Sequence, residues 1–322
     1  MLTVKKKLYA GLHHLRYLQC KNSTRKSLNE HTNIYIFGES RGGSTFLTEL
    51  FLDGHRSVLW EPLMPNVLQK YNSTFYNELG NIPYIHPDAV WKDGKDYFHN
   101  LFNGSVLMPG MFNFNLADIN YHSPNKSIIK FCRGNALLPW ITNNFDVLPI
   151  FLIRHPLAVI SSQLRFGSFQ GYTVLPSVLD YQHGKFKALF YNHEDKITGI
   201  TSVEEMFTVW WCLKNYDAVF STQKKWLTVS YEYLLKYPVE ERKRIEDYLK
   251  TAFSEEFDVK FKRPSSTTQK GSNILEGKNQ LATWKSHLSQ HQIKIILDTL
   301  HKFGFEMFTE NIEPEFSLLG YR

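Results

Sequence analysis

A short apolar run followed by a glycine-rich turn constrains the fold of this chain more than any other feature. Residues 34–62 read IYIFGESRGGSTFLTELFLDGHRSVLWEP: an expected buried strand (Ile34–Phe37), a turn, and a helix starting near Thr45. Successive backbone N–H groups in such a turn point inward and meet the positive end of the helix dipole. The sequence therefore predicts an anion-binding loop at the end of a strand.

The turn lacks the lysine with which nucleoside triphosphatases bind the outer phosphates. Gly38 to Thr45 fits the spacing GxxxxG[S/T], but Ser44 stands where that lysine is required. The positive charge is instead at Arg41, inside the turn, where it can face a leaving phosphate without a metal ion. The loop therefore favours a nucleotide other than Mg-ATP.

A second strand–helix unit carries a cation and a hydroxyl at a fixed spacing. Asp146–Arg154 (DVLPIFLIR) is an apolar run that ends in a charge, and HPLAVISSQL follows it. Pro156 favours a helix start, because its missing N–H is not needed there. Ser162 lies eight residues after Arg154, two turns into the helix, so the two side chains can converge on one anionic group.

In these elements the chain resembles the sulfotransferase family, which uses 3′-phosphoadenosine 5′-phosphosulfate (PAPS) as donor. Arg41–Leu47 is similar to the family's 5′-phosphosulfate loop, and Arg154 with Ser162 is similar to its 3′-phosphate site. Leu59–Pro62 resembles the Glu-Pro strand of carbohydrate sulfotransferases, and Val229–Leu234 resembles a later element near the adenine. The four elements occur in the family's order over about two hundred residues.

The resemblance implies a role for each matching residue. Arg41 would contact the bridging oxygen and the leaving 5′-phosphate, and Glu61 would be the general base on the acceptor hydroxyl. The catalytic pair is thus Arg41 and Glu61, and the product is adenosine 3′,5′-bisphosphate (PAP), with no metal required. The donor-binding residues implied are Arg41, Gly42, Gly43, Ser44, Thr45, Phe46, Arg154, Ser162 and Tyr231. The fallback bases are His55, His86, His99 and His122.

Structural roles for the same residues remain open. Ser44 and Thr45 could only cap the helix, and Arg154 could form a structural ion pair. Glu61 could be a strand-end carboxylate in a salt bridge.

Two other functions fit parts of the pattern. Gly38–Gly42 also spells GxSxG between a strand and a helix, the context of a hydrolase nucleophile at Ser40. Asp217 with His287 or His301 could complete a triad, but few residues precede Ser40, and they are basic and poor in strand patterns. A nucleotide-binding P-loop protein or small-molecule kinase is the other alternative, although it would lack the loop lysine that stabilises the transferring phosphoryl group.

Length and hydrophobic pattern predict one α/β domain. Apolar runs such as Ile34–Phe37, Ile128–Cys132 and Val147–Ile153 predict a P-loop-like parallel sheet, buried on both faces and flanked by helices. The predicted division is a basic N-terminal arm or helix at 1–30 and a single sulfotransferase domain at 31–322, with acceptor or lid insertions at 63–125 and 165–200.

The insertion at 63–125 is dense in aromatic residues interleaved with Asn and His. Flat rings beside amides suit sugar faces and hydroxyls, but the same mixture also forms a secondary core. Segments typical of phenol and steroid sulfotransferases are only loosely echoed, at Lys270-Gly271 and Thr283–Lys285. We therefore expect a small-molecule or glycan acceptor, most consistent with a carbohydrate or glycoconjugate.

The positive charge of the chain is concentrated at its start. Residues 1–29 hold seven of the 37 basic residues and no acid, so the rest has 30 basic against 31 acidic residues. A neutral body argues against nucleic-acid binding. Leu8, Leu12 and Leu15 recur at helical spacing among these cations, which predicts either a docked helix or peripheral membrane contact.

Three cysteines without metal spacing, Cys20, Cys132 and Cys212, favour a reducing cytoplasm. We expect Cys132 on a strand and Cys212 on a helix, both as core residues.

Overall fold

The computed structural model describes residues 2–80, 83–114, 118–165, 192–261, 263, 266 and 280–321, with side chains from residue 15 onward. Most of the lid predicted at 165–200 and the Lys270-Gly271 segment lie outside the described residues.

A five-stranded, fully parallel sheet organises the chain. Its strands are β1 (Ile34–Gly38), β2 (Arg56–Trp60), β3 (Lys126–Phe131), β4 (Pro149–Ile153) and β5 (Leu227–Ser230). They lie in the order β2-β3-β1-β4-β5, and each neighbouring pair is parallel. The predicted fold class, a parallel sheet flanked by helices, is confirmed.

The strands form where the sequence is continuously apolar. Every residue of β1, β2 and β4 is buried, which requires cover on both faces of the sheet. The predicted strands are found with their ends shifted by at most two residues.

Helices surround this sheet and connect its strands. The described α-helices are α1 (Leu2–Ser27), α2 (Ser44–Leu50), α3 (Pro65–Tyr71), α4 (Ser73–Leu79), α5 (Lys92–Phe102), α6 (Leu138–Asn144), α7 (Pro156–Arg165), α8 (Glu194–Ile197), α9 (Val203–Phe220), α10 (Tyr231–Lys236), α11 (Pro238–Leu249), α12 (Glu256–Phe261) and α13 (Gln290–Lys302). Within the described ranges, no helix is both long and apolar enough to cross a bilayer.

The second half of α1 is docked on the domain. Its buried residues recur at helical spacing: Tyr17, Cys20, Thr24 and Ser27. The Tyr17 hydroxyl donates to the carbonyl of Leu107 at 2.8 Å, and the Ser27 hydroxyl lies 2.7 Å from that of Ser127. From residue 15 onward α1 is therefore the docked helix that the sequence allowed, while membrane contact through residues 1–29 stays a prediction.

The aromatic residues of 63–125 divide between a secondary core and a pocket wall. Phe75 stacks between Trp91 (5.4 Å) and Tyr97 (4.0 Å) in a fully packed cluster. Others, including Phe112 and Phe114, line a cavity described below. Part of the segment therefore forms the secondary core, while acceptor binding by the cavity-lining residues stays a prediction.

Candidate active site

Each strand of the sheet is followed by a polar or aromatic residue at the same edge. Glu61, Cys132, Arg154 and Tyr231 come directly after β2, β3, β4 and β5, and Arg41 comes three residues after β1. Because all strands are parallel, their carboxyl ends meet at one edge, where open α/β sheets bind ligands. The strand order places Glu61 toward one end of this edge and Arg154 and Tyr231 toward the other.

The loop after β1 has an unusual backbone. Arg41 has a φ of 68° and Gly43 a φ of 93°. The N–H of Gly42 donates to the carbonyl of Glu39 at 2.9 Å, so it closes the turn instead of facing outward. A Cβ on Gly42 would lie 2.8 Å from that carbonyl oxygen, which only glycine avoids.

The hydroxyl of Ser44 does not cap the helix that it begins. The N-cap of α2 is Gly43, which has no side chain to offer. Ser44 Oγ lies instead 3.2 Å from Cys132 Sγ, at the end of β3. The Ser44 side chain therefore joins the loop to the neighbouring strand.

Arg41 contacts both Arg154 and Ser162 in the structure. The sequence predicted that Arg154 and Ser162 could reach one anionic group, and their binding of a phosphate stays a prediction. Arg41 Nε donates to Ser162 Oγ at 3.0 Å, and an Arg154 NH group donates to the Arg41 carbonyl at 3.3 Å. Burial and the nearby charge of Arg154 lower the pKa of Arg41. Two partly buried guanidinium groups thus stand side by side, an arrangement that an anion would stabilise.

Arg154 keeps unused hydrogen-bonding capacity. Its Nε is buried and has no hydrogen-bond partner among the described residues. No described carboxylate lies within ion-pair distance of it. The structural ion pair considered from the sequence is therefore not formed within the part of the chain described.

The Tyr231 ring packs against both Arg154 and the loop after β1. Arg154 Cζ lies 4.5 Å from the centroid of the Tyr231 ring, and Phe46 packs edge-on against the same ring at 6.0 Å. A Cβ on Gly43 would lie 2.5 Å from this ring. Phe46 is a core side chain in this structure, and its donor-binding role stays a prediction.

Replacing Gly43 by Ala should destabilise the protein by about 1–3 kcal/mol, because a left-handed backbone and a ring clash add together. Gly320→Ala is the matched control, since Gly320 has a φ of +90° and a Cβ added there would meet no described atom within 4 Å. Urea unfolding of both variants separates the two effects. Equal losses of unfolding free energy in the two variants would show that the Tyr231 ring moves aside without an energetic penalty.

Glu61 is held in place by two hydrogen bonds. Lys130 Nζ donates to Glu61 Oε1 at 2.8 Å, and the N–H of Cys132 donates to Oε2 at 3.2 Å. Glu61 has a φ of 49°. Three described residues other than glycine have a positive φ, and two of them are Arg41 and Glu61. Such strain often occurs at functional sites.

Lys130 belongs to the candidate site but was not predicted from the sequence. It is 5 % exposed, lies in β3, and has its ammonium 4.6 Å from the Trp60 ring centroid. Burial acts to lower the pKa of Lys130, but Cys132 and Glu61 outweigh it and raise this pKa, so the lysine stays charged. The sequence signal for Lys130 was its position, because it is a charged residue one position before the end of a buried apolar strand.

Cys132 lies one residue beyond β3, not on the strand as predicted, because the strand pairing ends at Phe131. Burial and the charge of Glu61 raise the pKa of its thiol to about 12. Cys132 is thus a neutral thiol that connects Glu61 to Ser44. Cys20 and Cys212 are buried and free, and Cys212 lies on α9 as predicted.

A cavity of about 620 Å³ opens above Glu61. Its walls come from α1, the end of β2, α3 and residues 109–114, and they include Tyr17, Trp60, Tyr71, Phe112 and Phe114. Among the described lining residues, Glu61 is the only carboxylate. The size is that of a small-molecule site.

The four fallback histidines do not line this cavity. His55, His86, His99 and His122 are exposed, and His86 and His99 face Asp88 and Glu30 at 3.9 Å.

The hydrolase triad is not assembled in the described residues. Ser40 is exposed, and no described imidazole lies within hydrogen-bonding distance of its hydroxyl. His287 Nδ1 faces the carbonyl of Thr283, and His301 Nε2 faces that of Phe308. The GxSxG motif is therefore present in the sequence, but the described residues do not place a histidine beside Ser40.

No protein-family model and no curated protein matches the chain. Solved structures do. One is a mouse sulfotransferase, SULT7A1, complexed with PAP (12% identity, 94% of each chain covered, TM-score 0.41). Another is the sulfotransferase domain of the Synechococcus PCC 7002 olefin synthase (16% identity, 83% of this chain and 93% of that chain, TM-score 0.41).

Retinol dehydratase, in complex with androsterone and the inactive cofactor PAP, is also similar (15% identity, 89% of this chain and 84% of that chain, TM-score 0.36). The first two are sulfotransferases, the family that the sequence motifs resemble. At these identities and TM-scores, the similarity assigns no activity to this chain.

Proposed function

We propose that this protein is a sulfotransferase that transfers a sulfuryl group from PAPS to an acceptor hydroxyl bound in the cavity over Glu61. The observation that carries the proposal is the convergence of Arg41, Arg154 and Ser162 beside the loop after β1. An arginine pair in contact with a hydroxyl suits the binding of phosphate groups, because guanidinium binds phosphate oxygens in forked geometry.

The orphaned Nε of Arg154 supports a bound anion at this point. We assign Arg154 and Ser162 to the 3′-phosphate, and Arg41 with Gly43 and Ser44 to the 5′-phosphosulfate. PAPS, when bound, supplies an activated sulfuryl group. The positive charge of Arg41 would stabilise the negative charge that develops on the leaving phosphate oxygen.

Glu61 would accept the proton of the acceptor hydroxyl. Each of its oxygens accepts one hydrogen bond in the structure and retains a lone pair for an acceptor O–H. As this proton leaves, the acceptor oxygen bonds to sulfur and the bond from sulfur to the 5′-phosphate oxygen breaks, in line. Lys130 is a positioning residue that fixes the carboxylate.

We infer a carbohydrate or glycoconjugate as acceptor. The cavity combines aromatic rings with the amides of Asn66 and Asn113, which suit the apolar faces and the hydroxyls of a sugar. Cytoplasmic localisation stays a prediction from cysteine use.

Calorimetric titration with PAP, ADP and AMP tests the donor assignment. Arg154→Ala should weaken PAP binding by about 1.5–3 kcal/mol, the contribution of hydrogen bonds to a charged group. AMP, which has no 3′-phosphate, should bind almost equally to both proteins. Arg165→Ala, at the exposed end of α7, is the control for removing a nearby arginine.

Equal losses for PAP and AMP would mean that Arg154 is structural, and the donor assignment would lose its main support. Tighter binding of ADP with Mg²⁺ than of PAP would favour the kinase alternative.

A further inference from the structure

The acceptor cavity is surrounded by cations that lie over its aromatic rings. Trp60 has Lys130 over its ring, and three further lining rings each have a cation: Arg16 over Phe114 at 4.6 Å, Lys21 over Tyr17 at 5.7 Å, and Lys70 over Tyr71 at 4.9 Å. The last three cations are considered below. Two of these cations come from α1 and one from α3. Contact with a ring orients a cation without neutralising its charge.

Carboxylates do not balance these charges in the structure. Within the described ranges, none of the three cations lies within ion-pair distance of an Asp or Glu. The one carboxylate among the described residues that line the cavity, Glu61, is already paired with Lys130 at 2.8 Å. Lys70 lines the cavity, and Arg16 and Lys21 lie against rings of its wall, so the surroundings of the cavity carry a net positive charge. The body of the chain beyond residue 29 is, by contrast, nearly neutral.

We propose that the acceptor carries a negatively charged group, a carboxylate or a phosphate, beside the hydroxyl that is sulfated, and that Arg16, Lys21 and Lys70 bind this group. The inference rests on the proposed function, because it identifies the class of acceptor for that reaction. A neutral acceptor would leave three cations solvated at the cavity and gain nothing from them. An anionic acceptor would be attracted into the cavity and oriented by them.

Three 4-nitrophenyl β-D-glycosides that differ only at C6 test this inference: the neutral glucoside, the glucuronide and the glucoside 6-phosphate. Their dissociation constants are measured by calorimetry with saturating PAP, and their sulfation is followed with radiolabelled PAPS. We expect each charged glycoside to bind about tenfold more tightly than the glucoside, the scale of two exposed ion pairs. Added salt should reduce this ratio. The glucuronide and the phosphate arms show which anion is preferred.

Arg16→Ala combined with Lys70→Ala should reduce the ratio to about twofold or less, since exposed pairs contribute additively when separated. Both side chains are exposed, so the fold should tolerate their removal. Lys26→Ala, an exposed lysine on the same helix, should leave the ratio unchanged and is the matched control.

Equal binding of the three glycosides, a preference that persists in the double variant, or no binding of either charged glycoside would overturn the inference. Titration of the same samples with PAP distinguishes a failure of the acceptor inference from a failure of the proposed function. If PAP binds and the neutral glucoside is sulfated as fast as the charged ones, the proposed function stands and the acceptor inference is wrong. If PAP does not bind, the donor assignment itself is wrong.

Discussion

Replacing Glu61 by Gln is expected to lower kcat by about 10²–10⁴-fold, the usual contribution of a general base. The amide keeps the size of the side chain but cannot take the proton of the acceptor hydroxyl. PAP affinity should stay within about threefold, because the Glu61 carboxylate is not part of the arginine cluster that we assign to the phosphates. Steady-state kinetics and PAP calorimetry measure these effects.

Glu313→Gln is a matched control, because Glu313 forms an ion pair of the same length, 2.8 Å, with Lys236 at the surface. It should leave kcat unchanged. In the Glu61→Gln variant the amide oxygen can accept from Lys130 only if the NH₂ group faces the N–H of Cys132, which is also a donor. We therefore expect the variant to lose about 1 kcal/mol of stability, measured as a lower Tm. Near-full turnover of the Glu61 variant, with loss of activity on replacing His55, His86, His99 or His122, would place the base on a histidine.

Arg41→Ala should reduce kcat by about 10²–10³-fold, the loss typical of removing one group that stabilises transition-state charge. PAP affinity should fall much less, because Arg154 and Ser162 remain. Alanine is preferable to glycine here, because alanine, like arginine, is strained by the left-handed backbone at position 41 (φ 68°). Glycine would relieve that strain and so change two properties at once. Transfer by the unmodified protein should persist in excess EDTA, because the charge comes from the side chain.

Ser162→Ala is the companion variant. It removes the group that accepts from Arg41 Nε at 3.0 Å and should weaken PAP binding more than it lowers kcat. Ser40→Ala should retain substantial activity, because the Ser40 hydroxyl has no described imidazole partner. A strict Mg²⁺ requirement for the chemical step would instead support a kinase. Complete loss of activity in the Ser40→Ala variant would support an esterase.

The sequence predicted the parts of the site that depend on local order along the chain. Arg41, Glu61 and Arg154 each follow an apolar run, and parallel strands bring their carboxyl ends together, so their common edge could be inferred from the chain alone. The turn glycines were recognisable for the same reason, because their backbone demands are local.

The remaining parts depend on pairings between distant segments, which a single sequence does not encode in its spacing. Lys130 pairs with Glu61 across 69 residues, and Tyr17 reaches the carbonyl of Leu107 across 90. Cys132 was expected to be an ordinary core residue, because nothing in its neighbours indicates that Ser44 lies 3.2 Å away. Long-range contacts of this kind decide which residues of an aromatic-rich segment line a cavity and which fill a core.

The docking of α1 also has a consequence for the order of events during synthesis. Its partners Leu107 and Ser127 lie 90 and 100 residues downstream of Tyr17 and Ser27. At about 5–20 residues per second, the ribosome produces them roughly 5–20 s after the helix itself. Throughout that interval the apolar face of α1 has no surface to cover it, while its many cations and lack of acids favour solubility. The cavity above Glu61 has Tyr17 of α1 in its wall, so it is completed only after α1 has docked.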